Sequence, residues 1–320
     1  MNRRQHELQS YSSAMWAQQR HSRENICVTA GCMRHVVSVV VVVSIFFACA
    51  TIPGSSSIGK SSHLTDRPAV DGRLHATLWQ QTSAEYRLLT QSLYSMAKLH
   101  LERALADKQW TAEPSQKDGF QDFPPAVIMD IDETVLDSSL FQATLIREHV
   151  EYSDPLWKSW INGHQPVSIP GAVEFISFAQ ARGVTVFFVT NRRHTDERET
   201  RANLSSTGIS LPETPDTVLM RGERNGWGWD KATRRRFIAE SYRVLMIIGD
   251  DLGDFISEYT GTPEGRITEA LKHNEWGTKW ILLPNPIYGS WVSSLYNFDF
   301  QLDRDEMLKR KFERLTSFVE

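Results

Sequence analysis

The sequence predicts an α/β fold in which helices cover both faces of a parallel sheet, and three observations predict it. Four apolar runs, at residues 127–129, 184–189, 244–248 and 280–283, read as strands. Unbroken apolar character of this kind marks strands buried on both sides rather than one. Segments of helical pattern lie between them, for example residues 171–181 and 231–241, and alternation of strand and helix builds a parallel sheet. With 320 residues, 41% hydrophobic and 23% charged, the chain can bury one substantial core, and its composition excludes disordered and fibrous classes.

Taken in order, the chain starts with a polar stretch, residues 1–32, that is unlike the start of an export signal. Residues 36–48 form an apolar run preceded by Met33-Arg34-His35. The run is shorter than the roughly 17–25 residues of a membrane span and fits the apolar region of a secretory signal. Met33 is therefore the expected translation start, residues 1–32 a doubtful leader and residues 33–50 a signal peptide. The processing site reads in two ways. Phe46-Phe47-Ala48-Cys49 approximates a lipoprotein box with Cys49 lipidated, and Ala48-Cys49-Ala50 equally forms an A-x-A site. Residues 51–68, rich in Ser and Gly, read as a flexible linker, and residues 69–320 as the folded domain. The chain's three cysteines, Cys27, Cys32 and Cys49, precede that domain, which leaves it no disulfide and no cysteine metal site.

Residues 69–107 read as helical. Leu78, Leu88, Leu89, Leu93, Met96, Ala97 and Leu101 recur at helical spacing and the stretch has no proline. Residues 111–125 read as a polar connector, the four strands and their helices follow, and residues 298–320 read as a charged helix. A net charge of -4 gives no basic excess for a nucleic-acid polymer.

Ligands of parallel sheets sit at the carboxyl ends of the strands. After the first run stand Asp130, Asp132 and Thr134. After the second stand Thr190, Asn191 and Arg192, and after the third Gly249, Asp250, Asp251, Gly253 and Asp254. Lys231 opens a helical segment. Asp130 and Asp250 can share a hard divalent ion, and Mg2+ suits a site of few protein oxygens. Such an ion partly neutralises a phosphoryl dianion. Asp132 can give a proton to the leaving group, while Thr190 and Lys231 can hold phosphate oxygens. Each residue has a plainer reading: a loop turn for Asp-x-Asp, a solvated charge for Lys231, a helix cap for Thr190. A calcium loop fails, because its twelfth position is Phe141 and its sixth is Val135 where glutamate and glycine are required. Order and spacing, each group after its own strand, separate the set from the plainer readings.

These residues resemble the haloacid dehalogenase superfamily, and more narrowly its class C acid phosphatases, the lipoprotein e group. The resemblance rests on the runs Asp130 to Asp137, Ile169 to Phe175, Phe187 to Arg192 and Leu283 to Gly289, with Lys231 and Gly249-Asp250-Asp251-x-x-Asp254. It implies a Rossmann-like core with a small helical addition partly covering the site. It also implies roles. Asp130 would attack phosphorus and form an aspartyl-phosphate, and Asp132 would protonate the leaving alcohol and then activate water. Mg2+ would be held by Asp130, the Asp132 carbonyl and Asp250, with Asp254 orienting Lys231 or a metal-bound water. Thr190 would bind phosphate, Asn191 support it and Thr134 fix the turn. The implied activity is a Mg2+-dependent phosphomonoesterase, as an acid phosphatase or 5'-nucleotidase. It would act at the bacterial cell envelope, as an outer-membrane lipoprotein anchored through Cys49 or as a periplasmic or secreted protein. Phosphotransfer to an alcohol and a non-catalytic ligand-binding lipoprotein are the alternatives. The group's substrates are nucleoside monophosphates, and Trp157 and Tyr288 are similar in position to its aromatic clamp, with core packing as the other reading. The stretch 224–230 departs from the group, so Trp227 and Trp229 are expected to reshape the substrate edge.

Overall fold

The computed structural model describes residues 71–163 and 166–317. The expectations for the leader, the signal, Cys49 and the linker lie outside these residues. Five strands, β1 (Pro125–Met129), β4 (Thr185–Arg193), β5 (Val218–Arg221), β6 (Arg243–Gly249) and β7 (Trp280–Leu282), form one sheet in the order β5-β4-β1-β6-β7. Every pairing in it is parallel. The direction of strand addition reverses around β1, which puts the ends of β1, β4 and β6 at the crevice where such sheets bind ligands.

Alternate residues of each strand enter two different cores, as the pleat requires. Val127, Met129, Val186, Phe188, Met220 and Ile248 join one with helices α2 (Ala84–Ala106), α5 (Ala172–Gln180) and α6 (Glu197–Ser206). Ala126, Ile128, Phe187, Val189, Leu219 and Ile247 join the other with α7 (Ala232–Ala239). Both faces are covered, so the unbroken apolar runs are accounted for.

The structure differs from the expectation at four points. The helical stretch is two helices, α1 (Leu74–Thr82) and α2, because extended Ser83 caps α2 by accepting from the Tyr86 amide at 3.0 Å. The connector is wedged into the core rather than solvated: Gln116 donates to the carbonyls of Ala239 and Tyr242, and Trp280 to that of Ala112. β4 runs past its apolar segment to Arg193, with a register irregularity after Thr190. Edge strand β5, with the apolar residues Val218, Leu219 and Met220, is not among the four runs expected as strands.

Between β1 and α5 an insertion forms the helical addition. β2 (Leu136–Asp137) and β3 (Val167–Ser168) pair antiparallel at its base, and it carries α3 (Ser139–Arg147) and α4 (Asp154–Gly163). Phe141, Leu145, Trp160 and Ile161 form its small core. Beyond β6 come α8 (Pro263–Ala270), α9 (Ser290–Ser294) and the charged helix α10 (Arg304–Glu313). Asp71 accepts from Arg73 at 2.7 and 2.9 Å and from Arg304 at 3.3 Å, and both arginines approach Glu151, at 3.5 and 3.7 Å. Among the described residues no helix is long and apolar enough to cross a membrane.

Candidate active site

The end of β6 is shaped by Gly249. A Cβ there would lie 2.2 Å from Oδ2 of Asp254, so only glycine lets the loop fold back over the strand. Asp254 closes that loop by accepting from the amides of Asp250 (3.1 Å) and Asp251 (3.0 Å). Its other oxygen accepts from the Lys231 ammonium at 2.6 Å. Lys231, held at the start of α7, also donates to Asp130 at the end of β1. Burial would lower the lysine pKa, but Asp130 and Asp254 outweigh it and hold the ammonium charged.

Carboxylate oxygens of Asp130, Asp250 and Asp254 lie within 4.8 Å of one another. Burial pushes Asp130 up to about 7, with Lys231 opposing and Asp254 and Asp132 adding to the rise. Burial and the neighbouring acids Asp254 and Asp130 push Asp250 well up. These shifts mark a site short of positive charge. Lys231 pairs with Asp130 and Asp254 and Arg192 with Asp132, while Asp250 and Glu133 have no ion-pair partner among the described residues. Both oxygens of Asp254 are already engaged, whereas among the described residues Asp250 accepts only from neutral groups, Thr134 at 3.1 Å and Asn285 at 2.8 Å. Hard oxygen donors of this kind fit a divalent cation held through Asp130 and Asp250. Thr134 thus does more than fix a turn.

Asp132 meets a partner that the strand-end reading did not give it. Arg192 grips it with two hydrogen bonds, 2.7 Å to Oδ1 and 3.0 Å to Oδ2. The arginine side chain is 1% exposed and is itself held by Asn203 at 3.1 Å. The fork sets the orientation of the carboxyl group in a way a single charge cannot. The pairing requires β4 to continue beyond Val189, as it does.

The loop after β1 is fixed from below. Glu133 takes a positive φ of 57° and buries its carboxylate against Ser138 (2.8 and 2.9 Å) and the Tyr288 hydroxyl, with Gln80 of α1 at 3.4 Å. Burial and Asp132 push Glu133 up to about 8, against the hydrogen bonds from Tyr288 and Ser138. Tyr94 of α2 donates to the Thr134 carbonyl at 2.7 Å. Asp251 accepts from the Ser290 amide and hydroxyl, both at 2.6 Å, which ties the β6 loop to α9.

The remaining expected residues lie around this centre. Thr190 is inside β4, with its hydroxyl accepting from the Arg192 amide at 3.1 Å and its carbonyl from Arg234. Asn191 accepts from Arg234 at 2.7 Å and donates to the Trp229 carbonyl at 3.0 Å. Trp157 stacks on Trp160 with centroids 5.1 Å apart, and Arg192 lies 5.4 Å from its ring. It also lines a cavity of about 300 Å3 together with Asn191 and Arg192. Tyr288 is engaged through its hydroxyl by Glu133. The two departing tryptophans separate: Trp227 is 7% exposed and packs on Phe237, while Trp229 is 62% exposed. Sequence reasoning gave no role to Arg192, Glu133, Asn285 or Arg234. Asn285 carries a signal, since it stands between two prolines after the fourth apolar run.

Solved structures that resemble the chain include two of one enzyme. The class C acid phosphatase from Bacillus anthracis is 29% identical, with a TM-score of 0.67 covering 77% of this chain and 98% of that one. The same enzyme with tungstate bound gives 28% and 0.68 over the same shares. Among curated proteins, the stem 31 kDa glycoprotein of Glycine max is 22% identical over 165 residues, 50% of this chain. The match spans 58% of that relative's own length. The family model described as HAD superfamily, subfamily IIIB (Acid phosphatase) matches residues 69–291. With its parallel sheet, its acid cluster and that match, the chain belongs to the acid phosphatases of the haloacid dehalogenase superfamily, subfamily IIIB.

Proposed function

We propose that this protein hydrolyses small phosphomonoesters with Mg2+ and passes through an aspartyl-phosphate on Asp130. The observation that carries the reading is Lys231, which bridges the carboxylates of Asp130 and Asp254 above the acid cluster. Asp130, the Asp132 carbonyl and Asp250 would hold a divalent ion, which would supply the charge that lets a carboxylate approach a phosphoryl dianion. Asp130 attacks phosphorus as the ester P–O bond breaks, and Asp132, which takes up a proton from solvent before this step and is oriented by Arg192, gives that proton to the departing alkoxide. Asp132 then takes a proton from water. That water attacks phosphorus and releases inorganic phosphate, and Asp130 is regenerated. Lys231 and Thr190 hold the phosphoryl oxygens as their charge redistributes.

The substrate reading is a nucleoside monophosphate with its base against Trp157, supported by the ring's place in the cavity wall. The location reading is export by residues 33–50, with lipidation at Cys49. Both rest on the family and the sequence. Purified protein with Mg2+ is expected to release phosphate from p-nitrophenyl phosphate. Asp130→Asn should lower turnover on the order of 10⁴-fold with an unchanged circular dichroism spectrum. Near-normal turnover in that variant sinks the nucleophile assignment.

A further inference from the structure

The cavity beside Asp132 is lined by more cations than a stacked base needs. Arg193, Arg221 and Lys158 stand in its wall with Arg192, against Asp154 and Asp196. Most of these charges are matched. Arg192 holds Asp132, Arg193 contacts Asp154, and Lys158 approaches Asp196 at 3.5 Å. The Tyr152 hydroxyl also donates to Asp154, at 3.2 Å. Arg221, at the end of β5, has no carboxylate within ion-pair distance among the described residues. Its Nε donates to the Asn191 carbonyl at 3.0 Å, and its plane stacks on the exposed Trp229 ring at 3.8 Å. Those two contacts fix the guanidinium, and its terminal nitrogens have no partner among the described residues. Burial and the charge of Arg193 push its pKa below the ordinary value, against Tyr152 and Asp154.

We infer that this cavity is the leaving-group subsite and that Arg221 selects alcohols carrying a second anionic group, a carboxylate or a second phosphate. A fixed guanidinium suits both through two parallel hydrogen bonds. The volume, about 300 Å3, is at the small end of ligand sites. The cavity adjoins the reaction, because Asn191 follows Thr190 and Arg192 grips Asp132. The inference rests on the phosphatase reading and specifies its substrate.

The test compares matched esters. Glycerol 3-phosphate is set against 3-phosphoglycerate, and a nucleoside 5'-monophosphate against the 3',5'-bisphosphate. The member with the second anion should be preferred about tenfold in kcat/KM, mainly through KM, and which pair shows it tells carboxylate from phosphate. Arg221→Gln should remove the preference and Arg221→Lys keep part of it. Trp229→Leu, at an exposed position, should weaken it and serves if the glutamine variant does not fold. The same preference in wild type and Arg221→Gln, or none in either pair, overturns the inference while p-nitrophenyl phosphate is still hydrolysed. Loss of that hydrolysis in the wild type with Mg2+ overturns the phosphatase reading and this inference together.

Discussion

At the ends of β1 and β6, Asp254 accepts three hydrogen bonds and Lys231 bridges two carboxylates. Arg192 grips Asp132 twice. In the neighbouring cavity wall, Arg221 makes one hydrogen bond and a stacking contact, and Trp229 is largely exposed. The two regions lie side by side at the carboxyl edge of one sheet, and Asp254 and Arg221 are held in opposite ways. A centre that stabilises developing charge must have its dipoles in place before substrate arrives. A wall that recognises a leaving group has to keep polar atoms unengaged until then. Most charges of that wall are matched as well, so the unengaged end of Arg221 is what sets the recognising side apart from the centre.

The comparison is tested most severely by removing the metal. EDTA is expected to reduce phosphate release on the order of 10³-fold, since an ion of this kind supplies several kcal/mol of charge stabilisation. Added Mg2+ should also raise the melting temperature. Saturation at a hundred times Kd adds about 2.7 kcal/mol, or about 5 °C or more for a domain of this size. A melting temperature indifferent to Mg2+ would mean that the acid cluster is held together without an ion. Arg192→Lys is next in size. An ammonium cannot hold two oxygens in one plane, so kcat should fall about 10- to 100-fold with KM nearly unchanged. If KM moves as much as kcat, Arg192 belongs to the recognising wall instead. Trp157→Ala should have the smallest effect, raising KM for a nucleoside monophosphate about tenfold, the loss of one stacked base. An unchanged KM would leave Trp157 to packing on Trp160 and Phe141.

The clustering of the strand-end acids was legible because these residues follow directly on apolar runs. Asp130 and Asp250 are the first polar positions after buried strands, and the pleat and sheet order then bring them together. What the sequence concealed depends on where strands stop. Arg192 reaches Asp132 only because β4 continues past Val189, and no apolar pattern marks that extension. Arg221 ends a strand that is not among the four apolar runs, so of this cavity wall the sequence singles out only Trp157, Asn191 and Arg192. Gln80 and Tyr94 support the β1 loop from helices about forty to fifty residues upstream, a relation set by packing alone. The break at Ser83 followed from a capping hydroxyl that helical spacing of leucines does not predict.

The contacts among Asp71, Arg73, Glu151 and Arg304 close the domain into a ring. Positions far apart in sequence meet there, and the middle one immediately precedes Tyr152 of the cavity wall. A domain whose two ends touch can be cut elsewhere and rejoined at the old ends, as circular permutants require.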